Sequence, residues 1–385
     1  MRALVYLDQA YWRDDEGIWA QRAFVLFLGA LAARCARLTL LGRVSPAAAQ
    51  RHYRLDDSIR FAPLPGYASA ASPLAVLRAI PGSIRAFWRE AGSADVVWLL
   101  GPSPLSILFA LAARARGLPV VLGVRQDLPA YTRGRHPGRR GAHLAADLME
   151  LAFRALARGR GVVVVGEDLA RRYRRAGSVL TIAVSLVRER DVAGEQAVAS
   201  RRWSESPTVL TVSRLDAEKN PLLLADVLAR LGAGWRMVIC GEGPLAGELA
   251  ARLDELGVAE RAEMRGHVPL NAGLADLYRS ADALLHVSLT EGVPQVLIEA
   301  FAAGLPVVAT DVGGVAGLAG GAAELIPPAD APAAAAALEA LASDPGHARE
   351  LALAGLRRVS SLTTEAESER VAEFLAAAAE GSAAR

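Results

Sequence analysis

Lysine is almost missing from this chain. Of its 43 basic side chains only one, Lys219, is lysine; the others are arginine. Cysteine is scarce too: Cys35 and Cys240 lie far apart, and neither has a metal-ligand neighbour. That excludes a disulfide framework and a thiolate metal site, and buried free thiols in a reducing cytosol are expected. Charge of one sign is not in excess. A net charge of +2 leaves no footprint for general nucleic-acid binding. No secretory leader is expected, because Asp8, Arg13, Asp14, Asp15 and Glu16 crowd the first residues. One long uncharged run exists, the 18 positions of 96–113. Its central "GPSP" divides it into a buried strand, a turn and a helix, so no membrane span is expected.

The chain does have a rhythm. Its 385 residues are too many for one ordinary core and suit two domains. Short apolar runs alternate with amphipathic stretches. In the first half the runs are "ALVYL" (3–7), "RLTLLG" (37–42), "DVVWLL" (95–100), "PVVLGV" (119–124) and "GVVVVG" (161–166). In the second they are "TVLTVS" (208–213), "RMVICG" (236–241), "AEMRGHV" (262–268), "ADALLHV" (281–287), "PVVATD" (306–311) and "AELIPP" (323–328). Such alternation predicts an α/β fold with parallel sheets covered by helices on both faces. The rhythm breaks at a polar stretch, read as a linker over 191–206. Two doubly wound domains, 1–190 and 207–360, would then face a central cleft, with ligands at the carboxyl ends of strands. Residues 361–385 read as a closing helix whose apolar stripe is Val371, Phe374 and Leu375.

The lone lysine lies in "VLTVSRLDAEKNPLLLADVL" (209–228). The strand ends at Arg214, a short loop follows, and Asn220 with Pro221 is expected to open a helix. Arg214 and Lys219 therefore sit where an anion would be held. Lysine is a compact point charge and arginine a planar fork, and a phosphate in a narrow space favours the former.

A second constellation is "HVSLTEGVPQVLIEAFAAGLPVVATDVGG" (286–314). Glu291 and Gly292 form a loop after a strand, Pro294 opens a helix, and Gly304 with Pro306 closes it. Glu299 falls about one and a half turns inside. The amides near Val293, Gln295 and Val296 are uncapped donors suited to a phosphate. Two carboxylates beside an anion site need targets of their own, and sugar and ribose hydroxyls are such targets.

In these residues, namely "SRLDAEKN", "CGEGP" (240–244), "EGVPQVLIEA" (291–300) and "GLPVVATDVGG" (304–314), the second half resembles the donor-binding domain of family 4 glycosyltransferases. The resemblance implies a GT-B fold of two Rossmann-like domains and a retaining, metal-independent transfer from a nucleotide-diphosphate sugar. Arg214 and Lys219 would neutralise the diphosphate, and Glu291 would hold a donor-sugar hydroxyl. The backbone of Gly292, Val293, Pro294, Gln295 and Val296 would line the donor, Glu299 would bind the ribose, and His267 and Val268 would lie near the base. No cofactor is implied. Two alternatives stay open: a non-catalytic protein that binds a nucleotide sugar, and a same-fold enzyme with epimerase or non-glycosidic coupling chemistry.

The first half, the expected acceptor-binding domain, departs from the family pattern. Its first strand should lead into a glycine-rich loop before a helix, yet one glycine, Gly17, stands there as a donor contact. Where the family often has a histidine, this chain reads "RQD"; Arg125 and Asp127 are candidate acceptor or sugar contacts. Between Arg114 and Arg175 stand 14 arginines and 5 acids. The stretch 131–143 reads as a mobile basic loop, and 72–90 as an amphipathic surface segment. An acidic or lipid-linked acceptor and a peripheral contact with the inner face of the membrane would suit them, in a protein otherwise cytoplasmic. A solvated arginine-rich face in an arginine-biased chain accounts for them too.

Overall fold

Each apolar run identified above becomes a strand. The computed structural model describes residues 1–45, 52–66, 73–136, 138–269 and 273–383. The chain divides into two units, Met1–Leu186 with Thr364–Arg385, and Val187–Thr363.

The first unit is built on β1 (Arg2–Asp14), β2 (Gly17–Ala20), β3 (Arg37–Val44), β4 (Tyr53–Arg54), β5 (Ile59–Leu64), β6 (Val96–Gly101), β7 (Val120–Val124), β8 (Gly161–Val165) and β9 (Ser178–Ile182). Seven of them run parallel in the order β5-β3-β1-β6-β7-β8-β9. Period-two alternation supplies both faces of the sheet: Ala3, Val5 and Leu7 enter one core, Leu4 and Tyr6 the other. The closing helix, Thr364–Ala383, packs beside Phe24–Ala32 on the first of these cores, with Val371 and Leu375 fully buried and Phe374 half-buried. The uncharged run divides into β6 and the helix Pro104–Ala115, whose N-cap Ser103 forms a reciprocal capping box with Ser106. Among the described residues no helix is long and apolar enough to cross a membrane.

The second unit holds β10 (Thr208–Val212), β11 (Arg236–Cys240), β12 (Ala262–Gly266), β13 (Ala283–His286), β14 (Val307–Thr310) and β15 (Glu324–Ile326). All are parallel, in the order β12-β11-β10-β13-β14-β15. The chain winds outward from β10 in one direction and then from β13 in the other. The topological switch therefore falls between β10 and β13, and the crevice at their carboxyl ends is where such sheets bind ligands.

Three expectations need correction. The stretch read as a linker is packed onto the second unit. Arg201 donates to the carbonyls of Arg279 and Ala303, Val198 sits in a small core with Ala352 and Leu356, and Asp282 accepts from Ser204 and Thr208. A charged side chain placed on helix-end carbonyls makes a polar sequence ordered without any apolar run. The stretch 131–143 is not an open loop either: helices Leu128–Arg135 and Arg140–Ala157 take up most of it, and Arg133 pairs with Asp147 at 2.7 Å. Asn220 is not an N-cap. It ends a short 3-10 turn in the left-handed region, φ 52°, which asparagine tolerates, and Leu222–Arg230 begins after Pro221.

Candidate active site

The two sequence constellations meet at the switch point. After β10 the loop 213–221 runs beside the loop 287–294 that follows β13, and the Leu289 amide joins them by donating to the Glu218 carbonyl at 2.9 Å. Across that junction Lys219 Nζ lies 2.6 Å from Glu291 Oε1, with 16% and 9% of the two side chains exposed. His286, the last residue of β13, brings Nε2 to 2.9 Å from the same oxygen. Burial alone would raise the Glu291 carboxyl. The hydrogen bond from His286 and the charge of Lys219 outweigh it and hold the group down at about 2. The site thus presents a fixed anion with two donors on one of its oxygens.

Glycines let the neighbouring loops close on these residues. A Cβ on Gly241 would stand 1.7 Å from the Ser213 carbonyl oxygen, and one on Gly243 2.5 Å from Leu215. On the other side a Cβ on Gly313 would meet the Glu291 oxygen at 2.0 Å, and one on Gly314 the Gly292 oxygen at 2.0 Å. The "CGEGP" and "DVGG" stretches are therefore glycine-bearing because backbone passes against backbone there. Hydrogen bonds bind the rim together: Leu215 to Glu242, Leu245 to Leu215, and Gly314 to Glu291. His267 donates its amide to Glu242 Oε1 at 3.3 Å, so His267 and half-buried Val268 stand at the carboxyl end of β12 on the same rim.

The other expected donor residues are placed less tightly. Arg214 is on the lysine's loop, but its guanidinium is paired with Asp216 and Glu218. Gly292 is exposed with open space where a Cβ would be. Val293 is half-buried, Pro294 buried, and Gln295 and Val296 begin the helix Gln295–Ala302, whose N-cap residue, Pro294, offers no side-chain cap. That helix ends as expected at Gly304, φ +62°, where Leu305 donates to Ala300 and Gly304 to Phe301. Glu299 lies inside the helix and accepts from the buried Tyr278 hydroxyl at 2.8 Å. Burial raises the Glu299 carboxyl, and that hydrogen bond opposes the rise.

In the first unit, Gly17 is not in a loop before a helix. Strand β1 continues to Asp14 and turns back into β2, and Gly17 is the corner of that hairpin at φ +139°. Asp14 accepts from its amide at 3.0 Å, so the glycine is explained by the turn. Arg125 follows β7 with its guanidinium 4.7 Å above the Phe24 ring. Burial, helped by the nearby charge of Arg22, lowers it to about 10. Asp127 caps the helix Leu128–Arg135 through the Ala130 amide and pairs with Arg172 at 2.5 Å. It lines a cavity of about 460 Å³ together with Arg133, Glu150 and Arg154.

Sequence reasoning missed His286 and Tyr278. His286 had a signal: it is the polar last residue of the otherwise apolar strand "ALLH" (283–286). Tyr278 had none, since its partner is 21 residues away on another helix.

Sheet order and the two α/β units give this chain the GT-B glycosyltransferase fold. HepE from Anabaena, solved in complex with UDP, superposes with a TM-score of 0.70 over 98% of this chain and 100% of its own, at 17% identity. Residues 195–358 match the family model of glycosyl transferases group 1. Among curated proteins, the phosphatidylinositol N-acetylglucosaminyltransferase gpi3 subunit of Schizosaccharomyces pombe is 37% identical over 28% of this chain and 24% of its own length. A GDP-mannose-dependent alpha-mannosyltransferase of Mycobacterium tuberculosis is 31% identical over 57% of this chain and 56% of its own. The matched region thus spans less than two thirds of either relative.

Proposed function

We propose that this protein is a retaining glycosyltransferase that moves a sugar from a nucleotide-diphosphate sugar to an acceptor, without a metal. The observation that carries the reading is the Lys219–Glu291–His286 cluster at the switch point of the second unit, beside the start of the helix Gln295–Ala302. In this reading residues 207–360 hold the donor and 1–190 the acceptor. Breaking the bond between the sugar's anomeric carbon and the phosphate oxygen leaves its electron pair on the diphosphate. Lys219 and Arg214, with the amides near Val293, Gln295 and Val296, stabilise that charge. Arg214 exchanges its acidic partners for phosphate when the donor arrives. The acceptor oxygen bonds the anomeric carbon on the face the phosphate leaves, and its proton goes to the departing phosphate oxygen.

Glu291 is held ionised, which suits it to accept from a donor-sugar hydroxyl through its second oxygen. Glu299 takes the ribose hydroxyls, and His267 and Val268 flank the base. Arg125 and Asp127 are the acceptor-side candidates. An acidic or lipid-linked acceptor, met in the cytoplasm at the inner membrane face, fits the arginine-rich first half. It is also consistent with one relative's name, which specifies phosphatidylinositol.

One observation favours a different reading, a nucleotide-sugar-binding protein without turnover: Gly17 serves a hairpin where a donor-contacting loop was expected. Release of nucleoside diphosphate decides between them, measured across a panel of nucleotide sugars with and without acceptors. Transfer predicts release that rises with the right acceptor. A donor that raises the melting temperature but is never cleaved supports the binding protein.

A further inference from the structure

The helix Arg140–Ala157 is turned inside out for a water-soluble surface. Its inner face buries Ala146, Glu150, Phe153 and Ala157. Its outer face carries Leu144, Leu148 and Leu151, at i, i+4 and i+7, and these are 60, 56 and 63% exposed. Burying a glutamate while three leucines stay in water is the reverse of ordinary helix patterning.

The pattern extends to the neighbours. Pro73–Ala91 packs beside Pro104–Ala115, which packs beside Arg140–Ala157, and all three cover one core of the first unit. Their outer side adds Leu77, Trp88 and Leu111. Among the described residues ten large apolar side chains stand exposed, and seven of them fall between Leu77 and Leu151. A concentration of this kind marks a contact surface rather than scattered exposure.

Charge selects the partner. The three helices carry six arginines and three acids, and two of the acids, Glu90 and Glu150, are buried. The third, Asp147, is neutralised by Arg133. Arg116 lies over the Trp88 ring at 4.7 Å, an arrangement in which the stem and ring are apolar and the charge remains at the surface. Leucines standing among arginines that outnumber the acids two to one match an anionic interface with an apolar layer beneath it.

We propose that the outer face of these three helices docks the protein on an anionic lipid bilayer, with Leu144, Leu148 and Leu151 entering between the headgroups. The surface belongs to the first unit and shares no residue with the donor cluster of the second, so the proposal holds or fails independently of glycosyl transfer. The test is flotation of the full chain with vesicles of phosphatidylcholine alone or mixed with phosphatidylglycerol, at low and high salt. The wild type is expected to float with the mixed vesicles, and less so at high salt. The triple variant Leu144→Gln, Leu148→Gln, Leu151→Gln is expected to lose about tenfold or more of that partitioning. Arg154→Gln with Arg140→Gln should weaken binding at low salt only. The leucines are exposed, so the triple variant should keep its melting temperature and any shift a donor produces. The idea is overturned if the wild type does not float with anionic vesicles at low salt, or if the triple variant floats equally well. It is also overturned if the leucines instead hold a dimer, seen as a concentration-dependent mass that the triple variant abolishes while nothing floats.

Discussion

At Lys219 an ammonium stands where this chain would otherwise use a guanidinium, and the geometry supplies a reason. Its acceptor, Glu291 Oε1, is a single atom already shared with His286. A planar fork gains most from two parallel acceptors, which this arrangement does not offer, and the pair is mostly buried. Lys219→Ala should therefore cost about 2–3 kcal/mol, tens- to hundreds-fold in the rate of nucleoside diphosphate release. Lys219→Arg should lose activity as well; full activity in that variant would show that only the charge matters. Glu291 sets a pH window. Its carboxyl is lowered from 4.5 to about 2, so its stabilising contribution is complete above about 4.5 and is lost as pH falls toward about 2. Carboxyl NMR titration should find it ionised down to that range, and His286→Ala should raise its apparent value. Glu299 has the opposite sign. Its raised value means that ionisation works against the fold as pH rises through it. Glu299→Gln keeps an acceptor for Tyr278, so it should leave the melting temperature equal or higher at neutral pH while weakening the donor-induced shift. A lower melting temperature in this variant would contradict the buried, disfavoured carboxylate.

Among the elements, the rim of the second unit depends on loops that only glycine allows. Gly313→Ala brings a Cβ to 2.0 Å from a backbone oxygen at φ +52°, so backbone must move. It should destabilise by about 1–3 kcal/mol, read as a lower melting temperature. Gly292→Ala has open space and should leave stability unchanged, so a loss there would overturn this account of the loops. Strands were legible where they are buried on both faces, as in "GVVVVG" and "PVVATD". Strands β2, β4, β5 and β9 were not. Strand β5 reads "IRFAPL", an edge strand with a proline and an arginine; β4 has two residues. Short or edge strands carry too few apolar positions to show a period. The basic segment 131–143 was misread for a similar reason: its first helix is capped by Asp127, and Arg133 ties it to Asp147 on the second, contacts that composition does not reveal.

For the whole molecule, the site makes a prediction about where order should increase. A bound nucleotide sugar should slow amide exchange across 213–220, 287–296 and 312–314, the loops joined at the carboxyl ends of β10, β13 and β14. It should leave the strands of the first unit unchanged, since their exchange is governed by their own core. Protection confined to the first unit would remove the donor site from the second.

By itself the sequence determined the alternation of strand and helix, the lone lysine, the Glu-x7-Glu spacing and the glycines, because each is a local pattern set by backbone period and turn chemistry. Only the tertiary structure decided that Lys219 meets Glu291 72 residues away, that His286 joins them, that Glu299 is held by Tyr278, and that Arg214 is paired within its own loop. Those pairings depend on strand order. The placing of β10 beside β13 brings two distant loops within hydrogen-bond reach, and no periodicity along the chain encodes which loop lies next to which.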